Sequence, residues 1–197
     1  MIALVDYRAG NLTSVKKTLT CLGVEVAVTE DPAVVAKAEK IILPGVGHFS
    51  ATRILEQSGL RGAILRRIER GVPFLGICVG MQVLFESSAE APGIPGLGLL
   101  AGACKPFPAN VKSPHVGWNS LDCSDCSLLR GISSGSFVYF THSYCAPVVE
   151  ATVARCEYGR EFSAAVEKNN VFGVQFHPEK SGSVGQALLA NFCRLPC

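Results

Sequence analysis

Residues 73–85 read PFLGICVGMQVLF, and this segment does most to decide the fold. Its apolar start, 73–77, predicts a buried strand, and the run from Val79 to Phe85 predicts a helix. Between them, Gly76-Ile77-Cys78-Val79-Gly80 has the spacing of a nucleophile elbow with cysteine in place of serine. Small flanking residues permit the sharp strand-to-helix turn that exposes the central side chain above a sheet. Taken alone, the pattern is equally compatible with a buried structural cysteine.

Toward the N-terminus, strand and helix patterns alternate. Continuous apolar runs predict strands at 2–5, 24–28 and 41–43. Helical patterns are predicted after a capping Asn11, from Pro32 and over 60–68. Strands separated by helices imply right-handed crossovers and a parallel sheet. The sequence therefore predicts an α/β fold of three layers, with a mostly parallel central sheet flanked by helices.

The second half of the chain changes character after a loop rich in glycine and proline at 92–98. Short strand patterns follow at 137–140, 151–153, 164–166 and 171–176, and a terminal helix is predicted over 184–192. We expect these strands to form a mixed or antiparallel extension of the same sheet. Because no internal repeat or linker is evident, residues 1–197 are predicted to form a single domain.

Composition excludes several classes of protein. Apolar residues make up 48% of the chain and charged residues 17%, which is too apolar for a disordered protein. The net charge of +2, without a long block of one sign, argues against a nucleic-acid-binding protein. The longest apolar stretch is too short for a bilayer, and no signal peptide is evident, so we expect a cytoplasmic protein without a membrane span.

The nine cysteines are odd in number, which argues against full disulfide pairing and favours free thiols in a reducing compartment. Cys123 and Cys126 have a C-x-x-C spacing. A zinc site needs about four ligands, and a second matching pair is not evident. We therefore predict that the protein uses no metal and no cofactor.

A nucleophilic cysteine needs a base, and the base needs an orienting group. His177-Pro178-Glu179 follows the predicted strand 171–176, and residues i and i+2 of an extended segment point to the same side. Glu179 can therefore set the tautomer of His177 and leave its other nitrogen to face Cys78. An isolated His-Pro-Glu is more often a strand-end histidine beside a surface glutamate, but the elbow reverses that balance.

A third element is the loop Pro44-Gly45-Val46-Gly47, which follows the predicted strand 41–43. Attack on a carboxamide builds negative charge on oxygen, which backbone N–H groups can stabilise. In elbow folds one such donor is the residue after the nucleophile, here Val79, and another comes from the loop after an earlier strand. The loop by itself is also compatible with an ordinary turn.

In this order the three elements resemble the class I (triad) glutamine amidotransferases, and most closely the glutaminase subunits of imidazole glycerol phosphate synthases. The resemblance covers nearly the whole chain. Further matching segments are Gly10-Asn11-Leu12, His115-Val116-Gly117-Trp118-Asn119, His142-Ser143-Tyr144 and the run from Gln175 to Ser181. Arg8 departs from the glycine that the family often has near its start.

The resemblance implies hydrolysis of glutamine to glutamate and ammonia through a γ-glutamyl thioester. It implies that Cys78 is the nucleophile, that His177 transfers protons and that Glu179 orients His177. It places Gly47 and Val79 at the oxyanion site. It also implies four residues that bind glutamine: Gln82, Glu90, Ser143 and Tyr144.

The resemblance further implies a partner, a (β/α)8 cyclase subunit that receives the ammonia within a heterodimer. That subunit converts the nucleotide PRFAR to imidazole glycerol phosphate and AICAR in histidine biosynthesis. Four residues match motif positions at or near the interface: Asn11, Trp118, Asn119 and Lys180. A core position is the alternative for Trp118. Three other functions stay open: a different class I amidotransferase, a γ-glutamyl hydrolase, or a non-catalytic interaction protein.

Overall fold

The computed structural model describes residues 1–196, and the chain forms thirteen strands within that range. The strands are β1 Ile2–Val5, β2 Val26–Thr29, β3 Lys40–Gly45, β4 Phe74–Cys78, β5 Phe85–Ser88, β6 Leu100–Pro106, β7 His115–Ser120, β8 Asp122–Cys123, β9 Phe137–His142, β10 Tyr144–Cys145, β11 Thr152–Glu157, β12 Glu161–Lys168 and β13 Val171–Val174. The α-helices are α1 Leu12–Cys21, α2 Pro32–Val35, α3 Arg53–Gln57, α4 Leu60–Glu69, α5 Val79–Gln82 and α6 Gly182–Arg194.

The main sheet has eight strands in the order β2-β1-β3-β4-β13-β12-β11-β8. The pairs from β2 through β13 are parallel. The last three strands, β12, β11 and β8, continue the sheet in antiparallel fashion. This arrangement confirms the predicted α/β fold with its mostly parallel sheet and antiparallel extension.

Burial explains why the central strands have continuous apolar sequences. Every residue of β1, β3, β4 and β13 is buried, as expected for parallel strands that are covered on both faces. The helices fall into two contact groups, α1 with α6, and α4 with α2 and α3. Helix α1 buries Val15 and Leu19, which are four residues apart and therefore lie on one face.

Two predictions for the chain after Cys78 are wrong. The helix expected to reach Phe85 ends at Gln82, because Phe85 begins β5 and pairs with Leu100 of β6. Residues 137–140 lie in β9, which pairs with β7 in a separate two-stranded sheet and does not extend the main sheet. Buried and partly exposed residues alternate along β9, so only one of its faces packs on the core.

Three neighbouring parallel strands, β3, β4 and β13, end at the same edge of the main sheet. In the register of these strands, Gly45 pairs with Cys78, and Ile77 pairs with Val174. Open α/β sheets bind ligands beyond the carboxyl ends of their strands. The loop after Gly45, the residue Cys78 and the segment after Val174 therefore meet at the position where a ligand is expected.

Candidate active site

Cys78 lies at the turn between β4 and α5 in a conformation that few non-glycine residues adopt. Its φ is 55° and its ψ is −110°, and such backbone strain costs about 1–3 kcal/mol. The turn depends on two glycines, because a Cβ at Gly76 would overlap the backbone of Gly80, and a Cβ at Gly80 would overlap the carbonyl of Leu43. The local sequence thus forms a tight elbow with the cysteine at its centre.

His177 and Glu179 form a buried pair at the end of the segment that follows β13. The distance from His177 Nδ1 to Glu179 Oε1 is 3.0 Å, and each side chain is 1% exposed. His177 Nε2 is buried and meets no hydrogen-bond partner of normal geometry among residues 1–196. Burial by itself lowers the pKa of His177, but the adjacent Cys78 and Glu179 side chains outweigh it and raise the pKa to about 9. The ring can therefore hold a proton at neutral pH next to the sulfur.

Asn11 supports the pair from the start of α1. Sequence analysis predicts that Asn11 caps this helix, but its side chain makes no capping hydrogen bond. Instead, Asn11 Nδ2 donates to Glu179 Oε1 at 3.3 Å. The contact joins residues 168 positions apart and helps to hold the carboxylate toward the histidine.

A cavity of about 520 Å³ opens over the sulfur of Cys78. It brings together all the residues that the sequence predicts to bind glutamine or the oxyanion. Its lining includes Asn11, Val46, Gly47, Cys78, Val79, Gln82, Glu90, Ser143, Tyr144, His177 and Lys180. This volume lies within the range of small-molecule sites, so the cavity can accept a ligand of amino-acid size.

The geometry above agrees with the match between this chain and known proteins. The sequence model of the family described as glutamine amidotransferase class-I matches residues 3–195. The chain belongs to the class I glutamine amidotransferases. The solved structures similar to it include a glutamine amidotransferase with a TM-score of 0.78 and 20% identity, which covers 98% of this chain and 97% of that one. Identity at that level shows a shared fold.

The sequence similarity between this amidotransferase and its relatives covers nearly the full chain. A protein of Moorella thermoacetica is 48% identical over 98% of this chain and 94% of its own length. A protein of Methanocaldococcus jannaschii is 45% identical over 99% of this chain and 100% of its own length. Both carry the name imidazole glycerol phosphate synthase subunit HisH.

The other predicted substrate residues of this amidotransferase differ in how they are held. Gln82 donates through Nε2 to the Tyr144 carbonyl at 2.9 Å, while its Oε1 is buried with no partner within residues 1–196. Glu90 accepts a hydrogen bond from the Phe49 backbone N–H at 2.7 Å, so it also anchors the loop beyond Gly47. Gly47 has a φ of 88°, which explains why glycine is required there.

The four predicted interface residues differ in exposure and in contacts. Trp118 is 56% exposed, which excludes the alternative of a core position, and its ring meets Tyr139 edge-on at 6.1 Å. Lys180 Nζ lies 5.6 Å from the centre of the same Tyr139 ring. Asn119 instead turns inward and donates to the Glu157 carbonyl at 3.0 Å. Asn11 donates a hydrogen bond to the buried carboxylate of Glu179.

Sequence analysis missed two residues that shape the site. Gln175 is fully buried, and its Nε2 lies 3.6 Å from Cys78 Sγ. His142 lines the cavity and lies 2.9 Å from the Tyr144 carbonyl through its Nδ1. The signal for Gln175 was present, since it stands two positions before His177 at the end of the predicted strand 171–176, where alternate residues point to the same side.

Residues 1–196 contain neither a cluster of metal ligands nor a membrane-spanning helix. Within residues 1–196, no group of three or more His, Cys, Asp and Glu side chains is arranged to hold a metal ion. Cys123 and Cys126 have free thiols. In the same part of the chain, no helix has the length and hydropathy needed to cross a bilayer.

Proposed function

We propose that this chain is the glutaminase subunit of imidazole glycerol phosphate synthase. It hydrolyses L-glutamine to L-glutamate and ammonia and passes the ammonia to the cyclase subunit, HisF, which converts PRFAR to imidazole glycerol phosphate and AICAR. The observation that carries the proposal is the buried His177–Glu179 pair beside Cys78 at the base of a cavity. The similarity to HisH proteins of other organisms, at 45–48% identity over nearly the full chain, supports the choice of this synthase among class I enzymes.

The proposed chemistry begins with the sulfur of Cys78 as a thiolate and His177 as an imidazolium. The thiolate attacks the side-chain carbonyl carbon of glutamine and forms a C–S bond, while the oxygen takes up negative charge. The C–N bond then breaks, and His177 Nε2 gives its proton to the departing ammonia. Glu179 accepts the hydrogen bond from His177 Nδ1 throughout, which keeps Nε2 aimed at the reacting atoms.

The second half of the cycle removes the γ-glutamyl group. His177, now neutral, takes a proton from water through Nε2, and the resulting hydroxide attacks the thioester carbonyl. The C–S bond breaks, glutamate leaves, and the thiolate and imidazolium are restored. We assign the backbone N–H groups of Gly47 and Val79 to the oxyanion in both steps, because both residues line the cavity over the sulfur.

Glutamine is proposed to bind through Gln82, Glu90, Ser143 and Tyr144, which share the cavity with Cys78. The unpartnered Oε1 of Gln82 is the clearest candidate contact, because a buried acceptor without a donor is costly until a ligand supplies one. An N–H group of bound glutamine can fill that role. Besides its proposed contact with glutamine, the Glu90 carboxylate accepts the hydrogen bond from the Phe49 backbone N–H.

We propose that the cyclase docks on the exposed face of the β7–β9 sheet. Three large apolar side chains are exposed there: Val116 at 56%, Trp118 at 56% and Phe137 at 58%. Exposed aromatic side chains of this kind are common anchors of protein interfaces. Lys180 connects this face to the cavity, since it lies over Tyr139 and also lines the cavity, so docking can affect the active site.

A glutaminase assay of the chain with and without the cyclase tests the proposal. We expect weak activity alone and a large rise when the cyclase and its nucleotide are added. Cys78→Ala should abolish hydrolysis and leave complex formation on gel filtration nearly intact. Cys156→Ala is the matched control, because it removes another buried free thiol, on β11, and should retain activity. Equal turnover with and without the cyclase would contradict the synthase assignment, and residual hydrolysis by Cys78→Ala would remove Cys78 from the mechanism.

A further inference from the structure

Gln175 is a buried polar residue beside the nucleophile that the mechanism above does not use. It follows β13, and its backbone N–H donates to the Ala164 carbonyl at 2.9 Å, which fixes its main chain. Its side chain is fully buried and lies against Cys78 Sγ at 3.6 Å. A buried amide of this kind is normally retained only where each of its polar atoms has a partner.

The orientation of the Gln175 amide follows from its neighbours. The Tyr144 carbonyl can only accept a hydrogen bond, so the Gln82 atom 2.9 Å from it must be the amide nitrogen. The same Gln82 nitrogen donates its second hydrogen to Gln175 Oε1 at 3.1 Å. With its oxygen turned toward Gln82, Gln175 must present its own nitrogen to the sulfur of Cys78. The chain of contacts therefore has a single direction that ends with a donor at Sγ.

Besides His177, the sulfur of Cys78 faces one backbone group and one side-chain group with opposite hydrogen-bonding roles. The Thr141 carbonyl, 4.0 Å from Sγ, can only accept, so it favours the protonated thiol. The Gln175 amide can only donate from its nitrogen, so it favours the thiolate. Hydrogen bonds to charged acceptors are stronger than those to neutral ones, and they are strongest where water is excluded.

We propose that Gln175 is a further catalytic residue, which donates a hydrogen bond to the Cys78 thiolate and holds it in line for attack. Gln82 acts as the positioning residue that keeps the Gln175 amide in this orientation. The proposal deepens the proposed function, because it rests on Cys78 being the nucleophile. It assigns Gln82 a second task besides contact with glutamine, since both hydrogens of its amide are used to orient its neighbours.

Alkylation of Cys78 by iodoacetamide across a range of pH tests this role directly, because only the thiolate reacts. The Cys78 peptide is quantified by mass spectrometry, and the peptide of the exposed Cys21 serves as the internal reference. Gln175→Met removes the donor and keeps a side chain of similar length. We expect its pH midpoint for Cys78 alkylation to rise by about one unit, with about tenfold slower alkylation below that midpoint. An unchanged midpoint would overturn the proposal.

Gln175→Leu provides a second test if the Met variant does not fold. Leucine also removes the donor and adds no charge beside the sulfur, whereas glutamate would raise the midpoint through its negative charge alone. We expect the midpoint to rise as in Gln175→Met, and the wild-type midpoint in Gln175→Leu would overturn the proposal.

Asn170→Leu is the matched control for a general loss of stability. Asn170 precedes β13 and donates two partly buried hydrogen bonds, to the carbonyls of Ile68 and Val72, at the end of the strand remote from Cys78. Its replacement should lower the thermal midpoint and leave the alkylation midpoint of Cys78 unchanged. Neither glutamine nor the cyclase enters this assay. An inactive wild-type protein would therefore count against the proposed function without affecting the result for Gln175.

Discussion

Acidification will destabilise the protein through a buried pair of neutral histidines, His115 and His142. Their exposed fractions are 3% and 6%, and His115 Nδ1 lies 3.0 Å from His142 Nε2. Because His142 Nδ1 faces the Tyr144 carbonyl at 2.9 Å, it carries the hydrogen, and His142 Nε2 accepts from His115. Burial lowers the pKa of His115 to about 4 and that of His142 to about 3. Both rings are therefore neutral near pH 7.

The sign of the effect follows from proton uptake by the unfolded chain. An unfolded histidine has a pKa of about 6.5, so it binds protons at a pH where the folded rings do not. The stability of the neutral pair is complete above about pH 6.5 and is lost as the pH falls toward the folded pKa values. Between about pH 7.5 and about pH 5, each histidine lowers the free energy of unfolding by about 2 kcal/mol, and the pair lowers it by about 4 kcal/mol.

Urea unfolding at these two pH values measures the loss in wild-type protein and in His115→Phe. Phenylalanine preserves a ring between Tyr158 and Phe140, whose ring centres lie 4.0 and 4.8 Å from that of His115. We expect the acid-induced loss to shrink by about 2 kcal/mol in this variant, because one of the two titrating groups is gone. Replacement of the exposed His48 by glutamine is the control and should leave the loss unchanged. The same loss in wild-type and His115→Phe proteins would refute the reasoning.

Three other variants test the elbow, the triad and the interface. In Gly80→Ala, the new Cβ overlaps the Leu43 carbonyl. The midpoint of thermal unfolding should therefore fall by about 3–10 °C, with loss of glutaminase activity. An unshifted midpoint would contradict the steric argument. Asn11→Ala removes a hydrogen-bond donor to Glu179. Steady-state kinetics of the complex should show kcat reduced about threefold to tenfold at a similar KM. A change in KM alone would instead indicate a role in substrate binding. Trp118→Ala should weaken binding to the cyclase about tenfold or more in calorimetric titration, and unchanged affinity would remove Trp118 from the interface.

The first half of the fold follows from its sequence because local and global signals agree there. Strands β1, β3 and β4 are buried on both faces, so they appear as continuous apolar runs that few other structures produce. Glycines mark the ends of the intervening helices α1 and α4, at Gly23 and Gly71, where φ is positive. In the first half of the chain, the local sequence pattern is therefore sufficient to predict the strands and helices.

The second half follows less well because its strands depend on distant partners. Strand β5 begins at Phe85, separated by two residues from a short helix, and the mostly apolar residues 79–85 fit a helical pattern equally well. Its pairing with β6 decides the outcome, and that pairing is not visible in the local sequence. Strand β9 was predicted as a strand but assigned to the wrong sheet, because apolar pattern alone does not identify the strand beside it.

The same distinction separates the parts of the site that could and could not be predicted. His177 and Glu179 are two residues apart, so the sequence could predict their contact. The extended geometry expected for this segment is wrong, because Pro178–Lys180 form a 3₁₀ helix whose turn brings the Glu179 carboxylate back to His177 Nδ1. The contact of Gln82 with Gln175 spans 93 positions, and that of Asn11 with Glu179 spans 168. Short motifs identify the functional side chains, but these long-range contacts set their orientation. The contacts form only in the assembled sheet, so the local sequence does not predict them.

The register of the strands explains why the reactive side chains lie close to Cys78. The pairing of Gly45 with Cys78 aligns the ends of β3 and β4, and the pairing of Ile77 with Val174 brings Gln175 and His177 just beyond the same edge. Because side chains alternate along a strand, a slip of one residue between β4 and β13 would turn His177 and Gln175 to the opposite face. The fully buried apolar residues of both strands resist such a slip, since each has a fixed place in the core. Core packing therefore holds the base and the amide donor against the sulfur.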